Sequence, residues 1–327
     1  MEISHYPSLS SKNIKISVSN FNEASLAWCL SSLYKKNSNS IIYIGKDEKE
    51  IRRIQKNLLI FLSLYQSSSF ENDCVHVFPS RDVYPFSFLS PSPDIVGERA
   101  RSINFLRNEA RGIFLVTLEA ISEKICCTNK SLGQVTALKE GQDFKHEDLL
   151  FILNEMKYEK RSVVQSKGEF AIRGGIIDFF SPHSEMPTRI ELKGDEIDSI
   201  RKFHPDTQRN NRSLKKAELY PPREIILSKE EIEVCSRKLE SLLRNDSDSN
   251  FKIQTMYDLF QSEEYFPGIE NLSPLFSKEI STFFDFVPSN AQWIFADKAN
   301  LLSKSEQFWS SIEEEFVLSS ERGLIGF

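Results

Sequence analysis

Short apolar runs separated by stretches of helical periodicity open this chain, and that alternation constrains its fold more than any other feature. Residues 14–18 (IKISV), 41–44 (IIYI), 74–78 (CVHVF) and 113–116 (IFLV) read as strands. Asn22 can cap a helix reaching about Lys36, with Ala24, Leu26, Ala27, Leu30 and Leu33 on its apolar face. A second helix starts at Asp47, where Ile51, Ile54, Leu58, Leu62 and Tyr65 recur at helical spacing. After a proline- and serine-rich loop over 79–93, Asp94 is expected to cap a third helix containing Glu98 and Arg99. Apolar strands alternating with helices predict a parallel α/β sheet.

The texture changes at about residue 124. A helix over 146–156 leads into short strands expected at 161–165, 169–173, 175–180, 187–192 and 197–203. Their connections are short and rich in turn residues, as at Lys193-Gly194-Asp195, so an antiparallel meander is predicted. Residues 124–216 therefore read as a separate, smaller α+β domain. From 217 onward helices return: Ser228 and Glu231 form a capping-box pattern ahead of a helix to about 243, and 292–296 reads as a buried strand. Neither flanking segment holds a full sheet alone. Residues 1–123 and 217–327 are thus expected to pack into one α/β unit around the insert.

Composition narrows the function classes. Twelve glycines in 327 residues are few, and phosphate-cradling loops are built from glycine. Neither a GxxxxGK[ST] nor a GxGxxG pattern occurs, and Gly174-Gly175 lies within a strand pattern. Asp195-Glu196-Ile197-Asp198 resembles a helicase acidic box, but it follows Gly194 as a charged hairpin turn and has no phosphate loop to work with. No two of the five cysteines are spaced CxxC, and His146-Glu147 lacks a second histidine four residues from the first. No metal site, disulfide framework or catalytic triad is expected. There is no secretory signal pattern and no apolar run of about 20 residues, so a cytoplasmic chain without membrane contact is predicted. A net charge of −6 argues against bulk polyanion binding. Residues 155–223 run against that average, with 14 Lys or Arg against 11 Asp or Glu, which makes this region the better candidate for an acidic partner.

Three stretches carry a resemblance. The longest runs through 168–182 (GEFAIRGGIIDFFSP), 187–192 (PTRIEL), 194–201 (GDEIDSIR) and 203–209 (FHPDTQR). The second combines Phe78-Pro79, Asp82, 90–95 (SPSPDI) and Glu98-Arg99; the third is 266–272 (FPGIENL) with Pro274-Leu275-Phe276. Together they resemble the module shared by the excision-repair protein UvrB and the bacterial transcription-repair coupling factors. In UvrB the first strand leads into a glycine-lysine phosphate loop. Here residues 19–25 read SNFNEAS, without glycine or lysine. UvrB also carries a tyrosine-rich hairpin, whereas 77–94 is short and has Tyr84 as its one tyrosine. Both departures favour the N-terminal part of a coupling factor.

The resemblance implies a degenerate P-loop-NTPase-like parallel-sheet domain assembled from 1–123 (domain 1a) and 217–327 (domain 1b). Residues 124–216 would then be the inserted UvrA-binding domain 2. It implies a non-enzymatic module that recruits UvrA, with no cofactor in this chain. ATP and Mg, RNA polymerase and double-stranded DNA would belong to translocase and polymerase-binding parts beyond residue 327, so the chain is expected to be part of a longer protein. The alternative is a UvrB-like helicase half with a cryptic nucleotide site.

Carried over residue by residue, the resemblance assigns UvrA contact to Arg173 and Arg189. Guanidinium forks on one sheet suit carboxylates on a partner. The residues alone offer another reading for Arg189, a cross-strand pair with Asp178, which a simple hairpin register puts nearly opposite it. Lys193 stands where the family often has a large apolar anchor, so contact there would be more electrostatic.

Overall fold

The computed structural model describes residues 21–64, 74–85, 89–108, 110–126, 132, 135–245, 254, 257–260, 262, 266–273 and 280–321. The strand expected at 14–18, the start of the SNFNEAS segment, Tyr65 and Pro274-Leu275-Phe276 lie outside them.

Helix α1 (Glu23–Lys36) begins as its sequence dictates. The Asn22 side chain accepts from the Ser25 amide at 2.8 Å, and the Ser25 hydroxyl accepts from the Asn22 amide at 3.0 Å, a reciprocal cap. Then come β1 (Ile41–Gly45), α2 (Glu48–Leu64), β2 (Val75–Phe78), α3 (Pro93–Arg107), β3 (Ile113–Thr117) and the short α4 (Leu118–Ser122). The third helix departs from expectation at its start. Ser92 is the N-cap residue and Pro93 occupies the first turn, where its fixed φ suits the helix. Asp94 lies inside and pairs with Lys167 instead.

A two-residue β4 (Ile125–Cys126) leads to β5 (Thr136–Lys139), α5 (His146–Glu155), β6 (Glu159–Lys160), β7 (Glu169–Arg173), β8 (Ile176–Phe179), β9 (Thr188–Lys193), β10 (Glu196–Phe203), β11 (Asn210–Leu214) and β12 (Lys216–Leu219). Helix α6 (Lys229–Asn245) follows, and Ser228 and Glu231 cap it reciprocally as the sequence predicts. Strands β13 (Ile280–Ser281) and β14 (Gln292–Phe295) and the long α7 (Lys298–Glu321) complete the described elements.

Among the described residues, one sheet is parallel, in the order β14-β1-β3-β2. Every residue of β1, β2 and β3 is buried, and alternation explains why. Ile42, Ile44, Phe114 and Val116 face a core with α3 and α4. Ile41, Tyr43, Ile113 and Leu115 face a second core with α1 and α2. Strands covered on both faces need apolar side chains at both parities. Strand β14 pairs with β1, and Phe283 and Leu301 enter the first core, so residues 280–321 complete the unit begun by 21–122. Contrary to the expected buried strand, β14 is half-buried and its Phe295 is 59% exposed.

The second large sheet runs β11-β10-β9-β8-β7-β6, with each strand beside its chain neighbour. All pairings are antiparallel except that of β6 with β7. One face packs on α5 through Leu149, Leu153, Phe170, Ile177, Ile190 and Ile200. The strand expected at 161–165 does not form. The Glu169 carboxylate accepts from the amides of Gln165 and Ser166, both at 2.8 Å, and holds a turn there. Val164 folds onto Ala171, Phe180 and Phe203, covering part of the sheet's second face.

Candidate functional site

The second face of the antiparallel sheet carries all three candidate residues. Side chains alternate along a strand, so Arg173 on β7 and Arg189 and Lys193 on β9 share one parity and one face. Arg173 pairs in register with Ile176 and Arg189 with Asp178, two residues further along β8. The two arginines therefore sit diagonally across β8, not side by side, roughly 12 Å apart from strand spacing and rise.

Their environments differ. Arg189 makes the cross-strand pair with Asp178: Nε and Nη2 donate to the two carboxylate oxygens at 2.7 and 2.8 Å. Nη1 donates to Asn210 Oδ1 at 3.3 Å, and the guanidinium lies over the Phe203 ring, 4.6 Å from its centroid. The Asp178 side chain is 2% exposed and that of Arg189 14%. Hydrogen bonding to Asp178, opposed by burial, raises the Arg189 pKa. Arg173 is exposed, and its Nη2 donates to the Ser162 carbonyl at 2.9 Å. Lys193 is exposed at the end of β9, opposite Glu196.

Two glycine turns set the edge of this surface. Gly174 (φ +61°) and Gly194 (φ +64°) are left-handed, and a side chain on either would meet open space. Gly175 lies against β9, where its carbonyl accepts from the Leu192 amide at 2.8 Å, so the two hairpin tips adjoin. At the opposite end the face is closed. Gln208 (φ +58°) donates from Nε2 to the Val164 carbonyl at 3.1 Å, tying the 204–209 turn to the 161–167 loop. The polar turn at Asp206, Gln208 and Arg209 thus has a structural use. Between the arginines and β10, Glu191 accepts from Ser199 Oγ at 3.1 Å and from Arg201 Nη1 at 3.2 Å. Sequence reading missed this acidic bridge, although an alternating Arg-Ile-Glu on β9 places Glu191 between Arg189 and Lys193.

The flanking stretches of the resemblance also meet. Ser90 Oγ donates to Glu270 Oε2 at 2.6 Å and accepts from the Gly268 amide at 3.0 Å. Among the described residues no group of three or more His, Cys, Asp or Glu could hold a metal ion, and no helix is long and apolar enough to cross a membrane.

Residues 136–224, which contain this whole face, match the UvrB interaction domain family. The chain carries a UvrB interaction domain. It is 30% identical over 302 residues to a transcription-repair-coupling factor of Staphylococcus epidermidis, covering 85% of this chain and 25% of that protein. It is 26% identical over 293 residues to the one of Haemophilus influenzae, covering 89% and 24%, and 29% identical over 299 residues to one of Staphylococcus aureus, covering 85% and 25%. The chain spans about a quarter of the length of these relatives. Together the UvrB interaction domain and these relatives support an N-terminal UvrB-like module of a transcription-repair coupling factor.

Proposed function

We propose that the chain is the UvrA-recruiting module of a transcription-repair coupling factor, and that it binds UvrA through the open end of the antiparallel face. The observation that carries this reading is the coincidence of the UvrB interaction domain with that face. Arg173 offers an exposed guanidinium, Lys193 an exposed ammonium, and Arg189 a fixed guanidinium edge already oriented by Asp178. Carboxylates of the partner are the complementary chemistry. The division of labour follows the chain: the parts before β5 and after β12 form the scaffold, and the insert between them presents the surface. A cytoplasmic setting suits such a partner. In a longer protein, RNA polymerase, double-stranded DNA and ATP with Mg would be handled by other parts.

The parallel-sheet unit is proposed to be a P-loop-like fold without nucleotide chemistry. The α1 N-terminus is closed by Asn22 and Ser25. At the start of α2, Glu50 accepts from the Lys46 amide at 2.7 Å and Asp47 from the Glu50 amide at 2.8 Å. The chain's own side chains thus occupy amides that a phosphate would use. Titration calorimetry with purified UvrA tests the proposal. Saturable binding that Arg173→Ala weakens is expected; no binding by the folded chain refutes it. Micromolar Mg-ATP binding would favour the helicase-half alternative.

A further inference from the structure

The chain crosses twice between the parallel-sheet unit and the UvrB interaction domain, leaving after Leu132, which with Ile125 still packs in the parallel-sheet core, and returning after β12, and the returning crossing meets one buried cluster of charges. Glu123 directly follows α4 inside the parallel-sheet unit, and Glu224 lies at the returning crossing. Each bridges the same two arginines. Glu224 accepts from Arg99 Nε at 2.7 Å and from Arg81 Nε at 2.5 Å. Glu123 accepts from Arg99 Nη1 and from the Arg81 amide, both at 2.8 Å. Arg81 also donates to the Lys124 carbonyl at 3.1 Å, and Arg99 to the Pro79 carbonyl at 2.7 Å. Arg99 is fully buried and stacks over Phe78, 4.3 Å from its ring centroid; Glu224 is 1% exposed. Two cations and two anions alternate, with the Arg81 backbone amide closing the circuit to Glu123, so removal of one leaves a buried charge short of a partner.

An apolar contact tolerates sliding. A ring of directed, charge-assisted bonds does not, because each bond fixes an angle as well as a distance. We propose that Arg81, Arg99, Glu123 and Glu224 form a latch that fixes the orientation of the UvrB interaction domain on the parallel-sheet unit by pinning the returning crossing to it. The neighbouring contacts agree in direction. Gly97 of α3 lies so close to the turn after β8 that an added Cβ would meet Pro182 C at 2.5 Å and His183 N at 2.6 Å. Tyr158 donates to the Tyr220 carbonyl at 2.6 Å, and Asn104 to the Tyr220 hydroxyl at 3.3 Å.

Calorimetry and amide hydrogen exchange on the full 327-residue chain test the latch. The unsubstituted chain should melt in one transition. Arg81→Ala, at the rim of the ring with 15% of its side chain exposed, should split that transition in two. It should also speed exchange at residues 123–126, 220 and 223–226 at least about tenfold, leaving β8 and β9 protected. Glu224→Gln should do the same where it folds. Lys167→Ala removes an ion pair across the interface outside the ring, with Asp94, and should leave one transition. The latch is refuted if the unsubstituted chain already melts in two steps. It is equally refuted if Arg81→Ala merely shifts one unsplit transition or leaves exchange at those residues unchanged.

Discussion

Replacing Arg189 with alanine separates a brace from a contact. The substitution strips a 2%-exposed carboxylate of its bidentate partner and uncovers the Phe203 ring. Leaving one member of a buried pair unmatched costs about 3–5 kcal/mol. The rim position of Arg189 and the water that replaces it place the expected loss near 3 kcal/mol. At about 1.5 °C per kcal/mol for one transition of a 327-residue chain, melting should fall by about 4 °C. Urea unfolding followed by circular dichroism measures the loss. Asp178→Asn on the Arg189→Ala background removes the orphaned charge and should recover about 1.5 kcal/mol or more, a coupling that a double-mutant cycle reads directly. If Arg189→Ala changes stability by less than about 0.5 kcal/mol, the pair is not the brace described here. UvrA affinity measured on the same folded variant then decides whether the remaining guanidinium edge also meets the partner. An unchanged dissociation constant would leave Arg189 as a brace alone.

Arg173→Ala should leave stability within about 0.5 kcal/mol, since Arg173 is exposed and has one carbonyl partner, yet weaken UvrA binding by about 2 kcal/mol in calorimetry. Lys193→Phe should flatten the salt dependence of that binding, as measured across a sodium chloride series. Gly97→Val should destabilise the chain by about 2 kcal/mol or more in urea, because its Cβ would strike the backbone of residues 182–183, which cannot yield as a side-chain tip could. His183 should give an acid-side loss of stability. Burial first, then Arg101, Lys202 and Lys167, push its pKa down to about 3, while the unfolded chain takes up a proton near 6.5. The unfolded state then binds more protons between those values, so stability falls as pH drops below 6.5, by at most about 2 kcal/mol at pH 5. His183→Gln should abolish that slope in urea titrations between pH 7 and 5.

What could be read in the sequence was what is decided locally. Asn22 and Ser228 announce their helices because a cap needs partners only three residues away. The Asp178–Arg189 pair was legible because the two residues carry opposite charge on strands adjacent in the chain, where hairpin pairing puts them nearly opposite each other. The 161–165 segment misled because Val163 and Val164 favour a strand, while the Glu169 side chain that holds a turn there leaves no periodic trace. The buried ring around Arg99 was not legible at all. Its members lie at 81, 99, 123 and 224, and no spacing pattern links residues that only the folded chain brings together. Arg99 read as one more residue of a helix beginning near Asp94, and nothing singled out Glu224. The diagonal placement of Arg173 and Arg189 likewise depends on a register two strands deep.

The first and last strands of the inserted region, β5 and β12, pair with each other from Lys139↔Lys216 to Thr136↔Leu219. To the chain outside, a segment of roughly 80 residues therefore begins and ends within one strand spacing, as a tight hairpin would. Closing a loop that long at random would carry an entropic penalty growing with the logarithm of its length, but the ribbon at the neck meets that penalty inside the insert. The parallel sheet is thus insulated from the insert's length. Hairpin tips such as those at Gly174 and Gly194 can lengthen, shorten or change charge without moving β1, β3 or β14. A partner surface can in this way drift with its partner on a scaffold that stays the same.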